Sequence, residues 1–145
     1  HRAGWGALTR EPLLGWSYPA WSKLWRLAGA DHMHVSGLNN KFTESNESVI
    51  ESARSLNNPL FSHAPMSALP VFSSGQTIRQ AVATLDAVGS SDFLVAAGGG
   101  IAAHPSGVAA GVKAMRQAYD AAMQKVDIAE YAQEHPELAA ALAEF

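Results

Sequence analysis

Chemistry in this chain has to come from a few polar and glycine-rich stretches, each placed after a short apolar run. In "DHMHVSGLNNK" (31–41), His32 and His34 alternate and Lys41 closes a Gly/Asn loop. In "LPVFSSGQ" (69–76), Ser73, Ser74 and Gly75 follow an apolar segment. In "LVAAGGGIAAHPSG" (94–107) the apolar run meets three consecutive glycines, Gly98 to Gly100. A fourth stretch, "HRAGWG", opens the chain with His1 and Arg2. Imidazoles move protons, and lysine and arginine hold negative charge. Glycine costs about 0.5–1 kcal/mol relative to alanine in regular structure, so three in a row need a reason. Glycines between a strand and a helix present backbone N–H groups to an anion, which makes a phosphate one reading. A tight strand-to-helix turn is the other.

Each of these residues also has a plain structural reading. Lys41 in such a loop is commonly a solvated charge. Ser73 and Ser74 can cap the following helix. His1 can be a frayed terminus. His104, before Pro105, reads as a capping or packing residue. His32 and His34 are expected to point to different sides, one to the interior and one to the helices, with His34 functional and His32 structural.

The elements that must hold these residues alternate in type. Trp21, Leu24 and Trp25 fit a helix ahead of an apolar strand at 32–35. "SNESVIESARSL" (45–56) places Val49, Ile50, Ala53 and Leu56 on one helical face, with Ser45 or Asn46 as cap. "ALPVF" (68–72) is strand-like, and a helix follows through Ile78, Ala81, Val82, Leu85 and Val88. "DFLVAA" (92–97) is the next strand, and a helix is expected from near Pro105, with Val108, Val112, Met115, Tyr119 and Met123 along its apolar face. The tail reads as two short helices broken at Pro136. Strand–loop–helix repeated in this way is the pattern of a parallel sheet with crossover helices, whose ligands sit at the carboxyl ends of the strands. Three strands are evident, with residues 1–3 as the possible end of a fourth, too few for a closed barrel. The four tryptophans, at 5, 16, 21 and 25, crowd the first 25 positions and are expected to be core.

Bulk composition narrows the classes. The 145 residues make about one domain. With 48% hydrophobic and 16% charged residues, the chain has the composition of a globular protein. A net charge of -3 without a basic stripe argues against nucleic acid as a partner. No cysteine is present, so disulfides and thiolate metal sites are excluded. No apolar run approaches the roughly 18 residues of a membrane span, and no signal-peptide pattern appears. A cytoplasmic location is the expectation.

The four stretches together, in this order and spacing, resemble the carboxyl half of the ribulose-bisphosphate carboxylase (RuBisCO) large-chain barrel, closest to its type IV branch, the RuBisCO-like proteins. The resemblance covers essentially the whole chain. It implies an α/β fold, namely about strands 5–8 of a TIM-type (β/α)8 barrel over residues 1–124, with a C-terminal helical extension at 125–145. It implies that His1 takes part in proton transfer and that Arg2 and His34 bind substrate phosphate. It implies a catalytic role for Lys41, which in carboxylases stabilises the carboxylated intermediate from a mobile loop. It implies that Ser73, Ser74 and Gly75, which match the carboxylases' Ser-Gly-Gly, bind the phosphorylated substrate too, and that the N–H groups of Gly98 and Gly99 bind its other phosphate.

The departures carry their own implications. Trp5 stands where carboxylases have a second histidine, which removes a titratable group. Two asparagines precede Lys41, and Phe-Thr follows it in place of the usual Leu-Glu. The resemblance therefore implies Mg2+-assisted enolisation of a phosphorylated keto-sugar, of isomerase, enolase or decarboxylase type, without CO2 fixation. None of Lys23, Lys41, Lys113 and Lys125 lies in the family's Lys-x-Asp-Glu metal cluster. The Mg2+ ligands are expected in an upstream half, the isolated 145 residues are expected to be inactive, and the complete protein is expected to be a homodimer. Two alternatives stay open: a piece of a true carboxylase, or a non-catalytic phosphate-ester-binding module on a flavodoxin-like sheet.

Overall fold

The computed structural model describes Leu13, residues 15–42 and residues 44–145. Helix α1 (Tyr18–Leu27) starts at Ser17, whose hydroxyl accepts the Ala20 N–H, with Pro19 in the first turn. Strand β1 (His32–Ser36) follows, then α2 (Asn46–Asn57), capped by Ser45 as expected. Strand β2 (Leu69–Phe72) leads through a 3-10 turn (Ile78–Gln80), closed by a Thr77–Gln80 capping box, into α3 (Ala81–Val88). Strand β3 is short (Leu94–Val95). Helices α4 (Gly98–Ala102) and α5 (Val108–Gln124) come next. The tail forms α6 (Ile128–Tyr131), a 3-10 turn (Ala132–Glu134) and α7, which begins at Pro136 and ends at Glu144.

The three strands are parallel and lie in the order β1-β2-β3, with His34 opposite Val71 and Val71 opposite Leu94. The carboxyl ends of all three therefore lie along one edge of the sheet. One apolar core joins Met33, Val35, Val49, Leu56 and Phe72; a second joins Ile78, Ala97, Met115, Ala118 and Leu138 beneath the carboxyl-terminal helices.

The structure corrects several expectations. His32 and His34 share a face, because residues two apart in a strand point the same way. Met33 and Val35 take the buried face, so His32 is exposed and fills no structural role in the core. The tryptophans among the described residues are not a core cluster: Trp25 is 49% and Trp16 44% exposed, and Trp21 alone packs partly against the core. The buried face of α1 is Tyr18, Ser22 and Arg26. Arg26 is 2% exposed, and its guanidinium donates to the carbonyls of Met66 (2.7 Å), Ser55 (2.7 Å), Pro65 (3.2 Å) and Asn58. Desolvation lowers its pKa from the ordinary value.

The last strand and the two helices after it also depart from expectation. The strand expected over 92–97 shrinks to two residues, and the glycines form the first turn of α4 rather than a turn before a helix at Pro105. The buried face of α5 is Gly111, Ala114, Met115, Ala118 and Ala121, whereas Val108, Val112 and Met123 are exposed. Close packing selects small residues there: a Cβ on Gly111 would lie 2.1 Å from the Ile101 carbonyl oxygen.

Candidate functional site

At the end of β1, Nδ1 of His34 lies 3.1 Å from the Ser73 hydroxyl at the end of β2. The backbone carbonyl of His34 accepts a hydrogen bond from the Tyr18 hydroxyl at 2.6 Å, which fixes α1 against this strand end. The Ser73 N–H donates to the Ser36 carbonyl at 2.8 Å across the irregular register between His34 and Ser36. When the Ser73 hydroxyl donates to Nδ1, Nε2 of His34 carries the hydrogen, the tautomer that donates to an anion. The Ser74 hydroxyl is 3.4 Å from that of Ser73.

Left-handed backbone collects at this end. Ser36 (φ 72), Asn39 (φ 48), Ser74 (φ 69) and Gly75 (φ 91) all adopt it, three of them without glycine's freedom. Such conformations cost on the order of 1–3 kcal/mol each and cluster at functional sites. They turn the two loops toward each other. The Lys41 N–H donates to the Ser74 carbonyl at 3.0 Å, and the Lys41 side chain runs over Gly75, whose added Cβ would meet the lysine's Cβ at 3.5 Å. The structure thus joins His34, Ser73, Ser74, Gly75 and Lys41 at one corner of the sheet.

The glycine run divides into two parts. A Cβ on Gly100 would lie 2.4 Å from the Gln76 carbonyl oxygen, so this glycine is needed to pack α4 on the turn after β2. Gln76 is buried, donates from Nε2 to the Leu38 carbonyl at 3.1 Å, and occupies the space a Cβ on Gly37 would need. Gly37, Gln76 and Gly100 therefore weld the three strand ends together. A Cβ on Gly98 or Gly99 would meet nothing within 4 Å. Both are exposed, so no packing contact within the described residues requires a glycine at either position.

The β3 end is backed by the carboxyl-terminal helices. His104 is buried and accepts the Ser106 N–H at Nδ1 (3.0 Å), so its Nε2–H donates to the Glu137 carbonyl (2.9 Å). It is a packing residue, as the sequence suggests. The Glu137 carboxylate accepts hydrogen bonds from Gln117 (3.1 Å) and Lys113 (3.2 Å). The Gln117 bond first, then a backbone hydrogen bond and Lys113, push its carboxyl down to about 2.

Sequence reasoning missed Tyr18 and Gln76 as builders of this site. His1, Arg2 and Trp5 lie outside the described residues. Among the described residues no group of three His, Cys, Asp or Glu side chains could hold a metal ion. Among them also no helix is long and apolar enough to cross a membrane.

A parallel α/β sheet with its polar and glycine-rich loops gathered on the carboxyl edge defines an α/β protein with a candidate ligand site at its strand ends. The chain belongs to the ribulose bisphosphate carboxylase large chain family: the model of that family's catalytic domain matches residues 1–145. It is 56% identical, over 98% of its length, to a 3-oxo-isoapionate-4-phosphate transcarboxylase/hydrolase of Xanthobacter autotrophicus. It is 44% identical over 100% of its length to a 3-oxo-isoapionate-4-phosphate decarboxylase of Rhizobium rhizogenes. The crystal structure of a rubisco-like protein from Burkholderia fungorum superposes on the whole chain with a TM-score of 0.97 at 50% identity. The chain covers 34%, 35% and 36% of these three proteins respectively, so it spans about a third of their length.

Proposed function

We propose that the complete protein is a RuBisCO-like enzyme that forms an enolate of a phosphorylated keto-sugar and does not fix CO2. In this reading the present chain supplies about strands 5–8 of a (β/α)8 barrel, the complete protein is a homodimer, and Mg2+ is held by residues outside this chain. The observation that carries the reading is the arrangement at one sheet edge: a His34–Ser73 pair and a tethered Lys41 at one end, and the unobstructed backbone of Gly98 and Gly99 at the other. The names of two relatives support the substrate class, since each joins an oxo group and a phosphate in one molecule. One name is a decarboxylase and the other a transcarboxylase/hydrolase, which favours the decarboxylase type among the enolate reactions.

The roles follow from charge. Loss of a proton or of a carboxyl group beside a carbonyl leaves negative charge on oxygen. Lys41 places an ammonium there, where it is worth most in the transition state. His34 and Arg2 hold phosphate in substrate and transition state alike, and Gly98 and Gly99 donate from the backbone to the second anionic group. Ser73 orients His34, with Ser74 and Gly75 shaping the turn on which Lys41 rests. Proton transfer falls to His1.

The test is steady-state kinetics on the full-length protein, with solvent-hydrogen exchange into substrate and incorporation of labelled bicarbonate measured alongside. Lys41→Met is expected to lower kcat by about 10²–10³-fold with a smaller change in KM. His34→Ala is expected mainly to raise KM. Bicarbonate incorporation, or a Lys41→Met variant with unchanged kcat, would overturn the reading.

A further inference from the structure

The imidazole of the candidate site stands at the irregular end of β1. The register against β2 shifts between His34 and Ser36, and Ser36 is left-handed (φ 72). Where a ladder is interrupted in this way the strand bends, and its own pairing no longer fixes it. A side chain from another element does so here. Tyr18, in the first turn of α1, donates its hydroxyl to the His34 carbonyl at 2.6 Å, across 16 residues of sequence. Tyr18 is 4% exposed and packs in the core with Met33, Val35 and Leu38. Its ring also leans on Trp21, with the two centroids 5.6 Å apart. Further along the same buried face of α1, Arg26 is bound to the carbonyls of Met66 and Ser55. Helix and ring are both anchored, so the hydroxyl reaches the strand end from a fixed base.

We infer that Tyr18 is a positioning residue for His34: it holds the main chain at the irregular strand end, so that the imidazole stays on the Ser73 hydroxyl and presents Nε2–H to an anion. This rests on the phosphate-binding role proposed for His34. His34 then has two attachments of different kinds. Tyr18 fixes its main chain, and Ser73 holds its ring at 3.1 Å. Ser73 is itself tied to the same strand end, through its N–H and the Ser36 carbonyl. Loss of the first attachment lets the strand end shift, and a hydrogen bond from imidazole to phosphate weakens as its distance and angle leave the optimum. Tyr18→Phe removes one oxygen and keeps the ring that fills the core.

Titration calorimetry of the full-length protein with inorganic phosphate reads this without turnover. Tyr18→Phe is expected to bind phosphate about five- to tenfold more weakly, the effect of one hydrogen bond, and His34→Ala at least as weakly. The double variant Tyr18→Phe/His34→Ala is expected to bind no more weakly than His34→Ala alone, because Tyr18 acts through the imidazole. Phosphate held at the glycine end is common to all these proteins and drops out of the comparison. Placing para-aminophenylalanine at position 18 restores a donor on the same ring and is expected to recover most of the affinity. Should Tyr18→Phe fold poorly, para-fluorophenylalanine at position 18 fills the space of the hydroxyl without donating and is expected to give the same loss.

An unchanged phosphate affinity in Tyr18→Phe, with the loss confined to its melting temperature, would overturn the inference, since a purely structural tyrosine behaves that way. Losses that multiply in the double variant would overturn it as well. An unchanged affinity in His34→Ala would instead sink the phosphate role proposed for His34, and the positioning role with it.

Discussion

The β1–β2 end of the candidate site and its β3 end are built by opposite means. Around His34, Ser73 and Lys41 the work is done by side chains, locked by hydrogen bonds and by left-handed residues at Ser36, Asn39 and Ser74. Around Gly98 and Gly99 it is done by bare backbone, with helices α5 and α7 behind it. A site end made of side chains fails when an atom is removed. A site end made of backbone fails when an atom is added.

The sharpest way to break this comparison is a paired substitution within the glycine run. Gly100→Ala drives a Cβ into the Gln76 carbonyl. It is expected to destabilise the full-length protein by about 1–3 kcal/mol, as overpacking does, seen in chemical denaturation. Gly99→Ala meets open space and is expected to leave stability unchanged, or raise it by up to about 1 kcal/mol through helix propensity. Its cost should fall on affinity for the phosphorylated ligand, in titration calorimetry. Equal stability losses in the two variants would mean that Gly98 and Gly99 serve packing alone.

A smaller effect separates the two ends by pH. Glu137 has a folded-state pKa of about 2, below the ordinary 4.5. Its stabilising contribution is therefore complete above about pH 4.5 and is lost as pH falls toward about 2. It anchors α7, which packs behind the β3 end and on the 3-10 turn after β2, away from β1. Amide exchange in α7 and α4 is expected to accelerate over that window before exchange in β1 and β2 does. Glu137→Gln should remove this acid dependence, and uniform acceleration across the sheet would erase the distinction between the ends.

The sequence revealed the two ends unequally. The alternation of strands and helices, the Ser45 cap, the break at Pro136 and the three strand-end motifs are local patterns, legible because propensity and period act over a few residues. The face of His32 was misjudged although the two-residue period of a strand decides it. Apolar periodicity also misled in α5, where the close approach of Ile101 selects glycine and alanine and turns the valines outward. In α1 the buried face includes an arginine, because four carbonyls from a distant segment converge on it. The Tyr18–His34 bond joins two elements through tertiary geometry that spacing does not encode.

That arginine also bears on the order of assembly. The carbonyls that receive Arg26 lie 29 to 40 residues further along the chain, in the segment leading from α2 into β2. Until that segment is in place, burial would strip a guanidinium of water with nothing in return. Helix α1 can thus form early and dock late, once the 55–66 stretch offers its acceptors together. A contact made after the rate-limiting step slows escape from the native state more than it speeds arrival. Arg26→Met in the full-length protein is accordingly expected to shorten the native lifetime in stopped-flow unfolding while leaving the refolding rate nearly untouched; a refolding rate that fell in step with stability would place the clamp in the folding nucleus. On that expectation Arg26 is, in kinetic terms, a latch that closes last and governs how long the structure lasts.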